Sequence, residues 1–111
     1  MVEKRRHPRV KVSCAAMYIS DIYPRPRVAI AVDLSVGGLR IETDYSLRQD
    51  ERFDISIAIG SRAIRCRVRV VHTLSLGDRR TMAGVKFEGM PEEEKVSLSQ
   101  YISQVRKQGR P

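Results

Sequence analysis

Two short segments contain the side chains best suited to bind a ligand. The first contains Arg5 and Arg9, four positions apart, just before a strand-like run, and the second contains Asp33, Ser35 and Gly38 at the end of another. An arginine guanidinium can hold phosphate oxygens or the O6/N7 edge of guanine through two parallel hydrogen bonds. A carboxylate can accept hydrogen bonds from the N1–H and N2 amino groups of guanine. Together the two segments suit a ligand that contains both phosphate and guanine.

Local geometry brings the side chains of each segment to one side. In extended backbone, positions i, i+2 and i+4 share a face, so Arg5 faces the same way as Arg9, and Asp33 the same way as Ser35. The glycines at 37–38 permit positive φ and a tight exit from the strand. Each segment alone also has an ordinary explanation, namely a solvated basic tail and a turn that caps itself through backbone hydrogen bonds. The combination of the two is what predicts a shared site.

The charge of the chain points to an anionic partner. Its 111 residues fit one domain, and 21 lysines and arginines against 13 acids give a formal net charge of +8. Such a surplus suits a nucleotide, a nucleic acid, an acidic protein or an anionic membrane surface. Aromatic residues make up only 5% of the chain. This low content disfavours single-stranded nucleic acid, whose bases usually stack on aromatic side chains.

The remaining reactive residues do not predict an enzyme. Cys14 and Cys66 lie in apolar strand-like runs and are expected to be buried free thiols, although a disulfide stays open. His7 and His72 are isolated, and Ser35 has no evident base partner, so neither a metal site nor catalysis is expected. The sequence shows no signal-peptide pattern and no apolar run near the roughly 20 residues of a membrane span, so the expected location is the cytoplasm.

Period-two alternation of apolar and polar residues predicts six β-strands. The alternating runs begin near Val10, Val28, Leu39, Phe53, Ile64 and Met82. In the most regular run, Arg65, Arg67 and Arg69 alternate with apolar residues, and we expect them to form a solvated outer face, with an extended anion-binding face as the alternative. Short turns between the runs favour antiparallel pairing, and closing the sheet into a barrel removes its exposed edges.

A helix is predicted over residues 91–107. Pro91 suits its first position, and the three glutamates that follow complement the positive end of the helix dipole. An apolar stripe at helical spacing is formed by Leu98, Tyr101, Ile102 and Val105. The predicted fold class is therefore all-β, a six-stranded antiparallel β-barrel with one C-terminal helix that covers an open end or side of the barrel.

The two segments match the motifs RxxxR and DxSxxG, and together they resemble the PilZ domain, the bacterial receptor module for the second messenger cyclic di-GMP (c-di-GMP). The resemblance covers essentially the whole chain and extends to the less specific Gly84-Val85-Lys86-Phe87 near the last strand. It implies a single PilZ domain over residues 1–111. The predicted parts are a flexible basic arm at 1–9, the barrel at 10–89 and the helix at 91–107.

The resemblance also implies which residues bind the ligand. In the family, the RxxxR arginines hold the phosphates and guanines of cyclic di-GMP, and the Asp and Ser of DxSxxG contact guanine and neighbouring polar groups. The implied binding residues are Arg5, Arg9, Asp33, Ser35 and Gly38, with Lys4, Arg6 and Gly37 beside them. No cofactor other than this ligand is implied. Lys4, just ahead of Arg5, suggests room for a stacked pair of ligand molecules.

The sequence thus predicts a non-enzymatic cyclic di-GMP receptor that acts through an unidentified downstream protein. The arm at 1–9 cannot easily be helical before Pro8, and we expect the ligand to order it, since an anion offsets both the charge repulsion and the entropy cost of ordering. Two alternatives stay open. One is a small basic barrel that binds nucleic acid, which is not favoured, and the other is a barrel that binds a partner protein without cyclic di-GMP.

Overall fold

Six antiparallel strands close into a barrel and one helix follows them, which confirms the predicted fold class. The computed structural model describes residues 8–108. Its elements are β1 (Val10–Ser20), β2 (Arg27–Leu34), β3 (Gly38–Thr43), β4 (Arg52–Ile59), β5 (Arg62–Gly77), β6 (Arg80–Gly89) and α1 (Glu92–Gln108). The order around the barrel is β1-β2-β3-β6-β5-β4, so β1 pairs with both β2 and β4. Closure gives each of these six strands two neighbours.

Large aromatic side chains fill the barrel interior near one end. The rings of Tyr18 and Phe53 are fully buried, with centroids 4.7 Å apart. The Thr43 hydroxyl donates to the Val28 carbonyl oxygen at 3.0 Å, so the Tyr18 hydroxyl is the donor in its own 3.0 Å hydrogen bond with Thr43. Burial raises the pKa of Tyr18 and keeps this donor protonated. The polar atoms of this part of the core are therefore paired, as buried polar groups must be.

Strand β2 turns its small residues toward the core and its large ones toward solvent. Ala29 and Ala31 are buried inside the barrel, whereas Val28 and Ile30 lie on the outer surface with 65% and 44% of their area exposed. Small side chains suit the interior of a narrow barrel. Their outward neighbours leave an apolar surface that barrel packing does not require.

Helix α1 lies against β1 and β5. Leu98 and Ile102 of its predicted apolar stripe are buried in the core, and the Tyr101 hydroxyl lies 3.6 Å from the sulfur of Cys14. Both Cys14 and Cys66 are buried and free, as predicted. Within residues 8–108, no helix combines the length and apolar character that crossing a membrane requires.

Ion pairs cover the outer surface where β4, β5 and β6 run side by side. Arg69 bonds to Glu88 at 2.7 Å and to Asp50 at 3.1 Å, and Arg67 bonds to Asp54 at 3.2 Å. These contacts support the interpretation of these two arginines as part of a solvated outer face rather than as anion receptors.

Candidate functional site

One aspartate of β2 lies between two arginines on the outer surface of the barrel, one just before β1 and the other on β3. Arg9 Nη1 is 3.1 Å from Asp33 Oδ1, and Arg40 Nη1 is 3.6 Å from Asp33 Oδ2. The first contact is a charge-assisted hydrogen bond, and the second is an ion pair too long to be one. The Asp33 side chain is 15% exposed, and those of Arg9 and Arg40 are 30% and 37% exposed. The cluster is thus supported by the barrel and still open to solvent.

A β-bulge turns Asp33 toward these arginines. Ala31 pairs with Ile41 and Asp33 with Arg40, so one extra residue lies on β2 between the two pairs. The alternation in the sequence groups Asp33 with Ala31, and because Ala31 is buried in the structure, an unbroken strand would bury Asp33 as well. The extra residue reverses the facing, and Leu34 fills the core in its place. Asp33 consequently lies outside, beside Arg40.

The Ser35 hydroxyl is engaged inside the turn between β2 and β3. It accepts hydrogen bonds from the amides of Gly37 and Gly38, both at 3.2 Å, and donates to the Gly38 carbonyl oxygen at 3.3 Å. The Ser35 amide donates to the same oxygen at 2.9 Å. Ser35 is buried and builds the turn, as in the self-capping alternative. Its expected contact with a ligand stays a prediction.

Gly38 is required by the close approach of two strands. A Cβ added at Gly38 would lie 2.2 Å from the Val85 carbonyl oxygen on β6, far inside van der Waals contact. The positive φ that glycine permits is not used here, because within residues 8–108 the glycines with positive φ are Gly60 and Gly77. The serine and this glycine therefore fix the turn, while the aspartate faces the arginines.

The structure describes five of the eight predicted binding residues. It brings Arg9 into contact with Asp33, and it places Ser35, Gly37 and Gly38 in the turn that follows. Lys4, Arg5 and Arg6 lie outside the described residues, as does most of the predicted arm. The two sequence motifs thus meet through one side chain from each.

Arg40 is a site residue that the sequence analysis missed. A signal for it was present, because a hairpin closed by the four-residue turn 35–38 pairs Leu34 with Leu39 and Asp33 with Arg40. Directly opposed residues on one face of an antiparallel pair interact, and opposite charges there attract. Extending the register across the turn would have identified the second arginine.

The cluster can bind a ligand, but it lacks groups arranged for making bonds. Within the described part of the chain, no three His, Cys, Asp or Glu side chains form a group that could hold a metal ion. Burial raises the pKa of Cys66 to about 12, with Glu94 and Asp54 adding to the shift, so this thiol is a poor nucleophile near neutral pH. The expected lack of catalysis stays a prediction.

A closed six-stranded antiparallel barrel followed by one C-terminal helix is the architecture of PilZ-like folds. The model of the PilZ domain matches residues 3–104, and the chain belongs to this family. No curated protein matches the chain in sequence.

Solved structures share this fold at low sequence identity. The inhibitor of motility MotI/DgrA from Bacillus subtilis superposes with a TM-score of 0.83 at 13% identity, over 99% of this chain and 55% of its own. The PilZ domain of YcgR from Escherichia coli, solved with c-di-GMP, gives 0.77 at 14% identity, over 97% and 95%. MrkH from K. pneumonia in its c-di-GMP complex gives 0.82 at 13% identity, over 96% and 54%. The chain thus spans about half the length of two of these three.

Proposed function

We propose that this PilZ domain is a cyclic di-GMP receptor whose site is built around Arg9 and Asp33. The observation that carries the proposal is the 3.1 Å contact between Arg9 Nη1 and Asp33 Oδ1, because these side chains come from two motifs 24 residues apart. Two structurally similar chains, the YcgR domain and MrkH, were solved with this ligand, which supports the choice.

The chemistry of the cluster fits a guanine nucleotide. Asp33 accepts a hydrogen bond from the guanidinium of Arg9. A guanine base can replace that donor with its own N1–H and N2 amino group, which frees Arg9 to bond to phosphate oxygens or to the O6/N7 edge. Arg40 lies against the other Asp33 oxygen and keeps a positive charge beside the carboxylate throughout. Binding is then an exchange of partners within an existing cluster.

Calorimetry with cyclic di-GMP and cyclic di-AMP tests this proposal. Adenine presents an amino group where guanine presents O6 and has no N1–H, so the adenine analogue should bind far more weakly at every salt concentration. A nucleic-acid-binding barrel would instead weaken steeply and uniformly with salt. Equal binding of the two dinucleotides, or binding of neither, would refute the receptor proposal.

Substitutions at the cluster locate the site. Arg9→Ala should cost about 1.5–3 kcal/mol of binding free energy, since charge-assisted hydrogen bonds are lost. Asp33→Asn should weaken binding and relax the preference for guanine, because an amide brings a donor where an acceptor is needed. Arg62→Ala, which removes an exposed arginine paired with Glu94, is the matched control and should bind normally. Near-native affinity in Arg9→Ala would show that the site lies elsewhere.

The proposed signal is the ordering of the N-terminal arm by the ligand. Arg5, Arg6 and Lys4 would close over the bound nucleotide, against Asp33, and so complete the site. Residues 1–7 lie outside the described part of the chain, so the measurement is hydrogen exchange of the N-terminal amides with and without cyclic di-GMP. Stronger protection with ligand is expected, and equal protection in both states would contradict the mechanism. A stacked pair of ligands would give a calorimetric stoichiometry of two per chain.

A further inference from the structure

The outer surface of β1 and β2 carries an apolar face that the ligand site does not use. Four large side chains form it: Val28, Met17, Ile30 and Ile19, with 65%, 48%, 44% and 42% of their area exposed. Met17 pairs directly with Val28 across the two strands, so the side chains are contiguous. Single exposed apolar residues are ordinary on protein surfaces, but a contiguous group marks an interaction site. We call these four residues the β1–β2 face.

A groove borders this face on its β4 side. Met17, Ser56 and Arg65 lie in one row across β1, β4 and β5, and Ile19 and Asp54 begin the next row. Because Ser56 is short, the space between Met17 and Arg65 is recessed, and the groove has a volume of about 680 Å³. One wall is therefore apolar and the opposite wall carries arginine.

Most of the charges beside the face are already paired. Asp54 is engaged by Arg67, and Glu42, which pairs with Ile30 across β2 and β3, is engaged by Arg80. Arg65 differs, because within residues 8–108 its guanidinium pairs with no carboxylate and its hydrogen bond to Glu94 uses the backbone amide. An occupant that brings apolar side chains and carboxylates would fit both walls.

We propose that the β1–β2 face and its groove bind an acidic amphipathic segment of a partner protein. Its apolar residues would cover Met17 and Val28, and its carboxylates would pair with Arg65. A second copy of this chain fits less well, since each copy carries a net charge of +8 and the acids bordering the face already have partners. Methionine is enriched at interfaces, where its flexible side chain adapts to a partner.

Two synthetic peptides of about 16 residues provide the probes, each long enough for four helical turns. Both have leucines along one face, and the other face carries glutamate in one peptide and lysine in its twin. The NMR signals of labelled methionine methyl groups report where a peptide binds, since the chain has only four methionines. The glutamate peptide should shift the Met17 signal and the lysine twin should not. The charge swap Arg65→Glu should reverse that preference.

A matched pair of variants distinguishes binding at the β1–β2 face from nonspecific hydrophobic binding elsewhere on the surface. The double variant Val28→Thr/Ile30→Thr keeps β-branched residues on the strand and should bind the glutamate peptide at least about tenfold more weakly. Val96→Thr changes another exposed valine, 49% exposed on α1, and should bind normally. Three results would overturn the proposal: equal binding of both peptides, signal shifts at other methionines but not at Met17, or no binding at millimolar concentration. So would sedimentation of the chain as a dimer that Val28→Thr/Ile30→Thr dissociates.

Discussion

Replacing Gly38 with alanine tests whether this glycine serves the packing of the barrel. The new Cβ would lie 2.2 Å from the Val85 carbonyl oxygen, a backbone atom that cannot rotate away. Restoring contact distance requires β3 and β6 to separate by about 1 Å. That shift would strain the hydrogen bond from the Phe87 amide to the Gly37 carbonyl oxygen, now 3.1 Å, and the turn closed by Ser35. We expect the free energy of unfolding to fall by about 1–3 kcal/mol.

Two other glycines on β6 provide controls of graded severity. At Gly84 the new Cβ would meet the imidazole of His72 at 2.3 Å, but this is an exposed side chain that can rotate aside, so the loss should be smaller. At Gly89 the nearest atom is the Cβ of Arg67 at 3.5 Å, an ordinary contact. Alanine there should be neutral or slightly stabilising, since it also restricts the unfolded chain.

Urea denaturation followed by circular dichroism measures the series, and thermal melting supports it. In a domain of about 100 residues each kcal/mol moves the melting temperature by about 4–8 °C. The expected order of stability loss is Gly38→Ala, then Gly84→Ala, then Gly89→Ala. If Gly38→Ala were as stable as Gly89→Ala, the close approach to Val85 would not be what requires glycine in this motif.

Two further predictions concern the core. Cys66 has a higher pKa in the folded state, about 12, than in the unfolded chain, near 8.5, so its contribution to stability is complete below about pH 8.5 and declines as the pH rises toward 12. Unfolding measured from pH 8 to 10 should therefore show a steeper loss for the parent than for Cys66→Ala, and parallel curves would contradict the buried neutral thiol. Tyr18→Phe should lower the free energy of unfolding by about 1 kcal/mol through loss of the bond to Thr43, and unchanged thermal stability would refute that role.

The strands and helix could be predicted because their signals are local. In the first half of β5, arginines alternate with apolar residues from Ile64 to Val70 so regularly that the orientation of these side chains follows, and the structure confirms it. The stripe of α1 is equally clear, and it buries Leu98 and Ile102 as expected. In an element with one apolar face and one charged face, the spacing of apolar residues along the sequence alone predicts which face packs against the core.

The site was harder to predict because it depends on register. Alternation in β2 puts Asp33 with Ala31, and only the bulge between them sends the aspartate outward. A bulge has no firm signature in a single sequence, since its cause lies in the pairing partners. The close contact between Gly38 and Val85 likewise cannot be predicted from the local sequence, because the two residues are 47 positions apart. The sequence indicated the chemistry of the cluster but not the direction in which Asp33 points.

The contact between Gly38 and Val85 also bears on the order in which the chain folds. Strands β1, β2 and β3 are joined by short connections and can form a meander early, whereas β1–β4 and β3–β6 pair across long stretches of chain. Such non-local pairings close loops at a cost in entropy and form slowly. The turn beside Asp33 is capped locally by Ser35, but it gains the hydrogen bond from the Phe87 amide only when β6 docks on β3. A fragment of residues 8–43 would contain Arg9, Asp33 and Arg40 yet lack the strand that holds the turn in place.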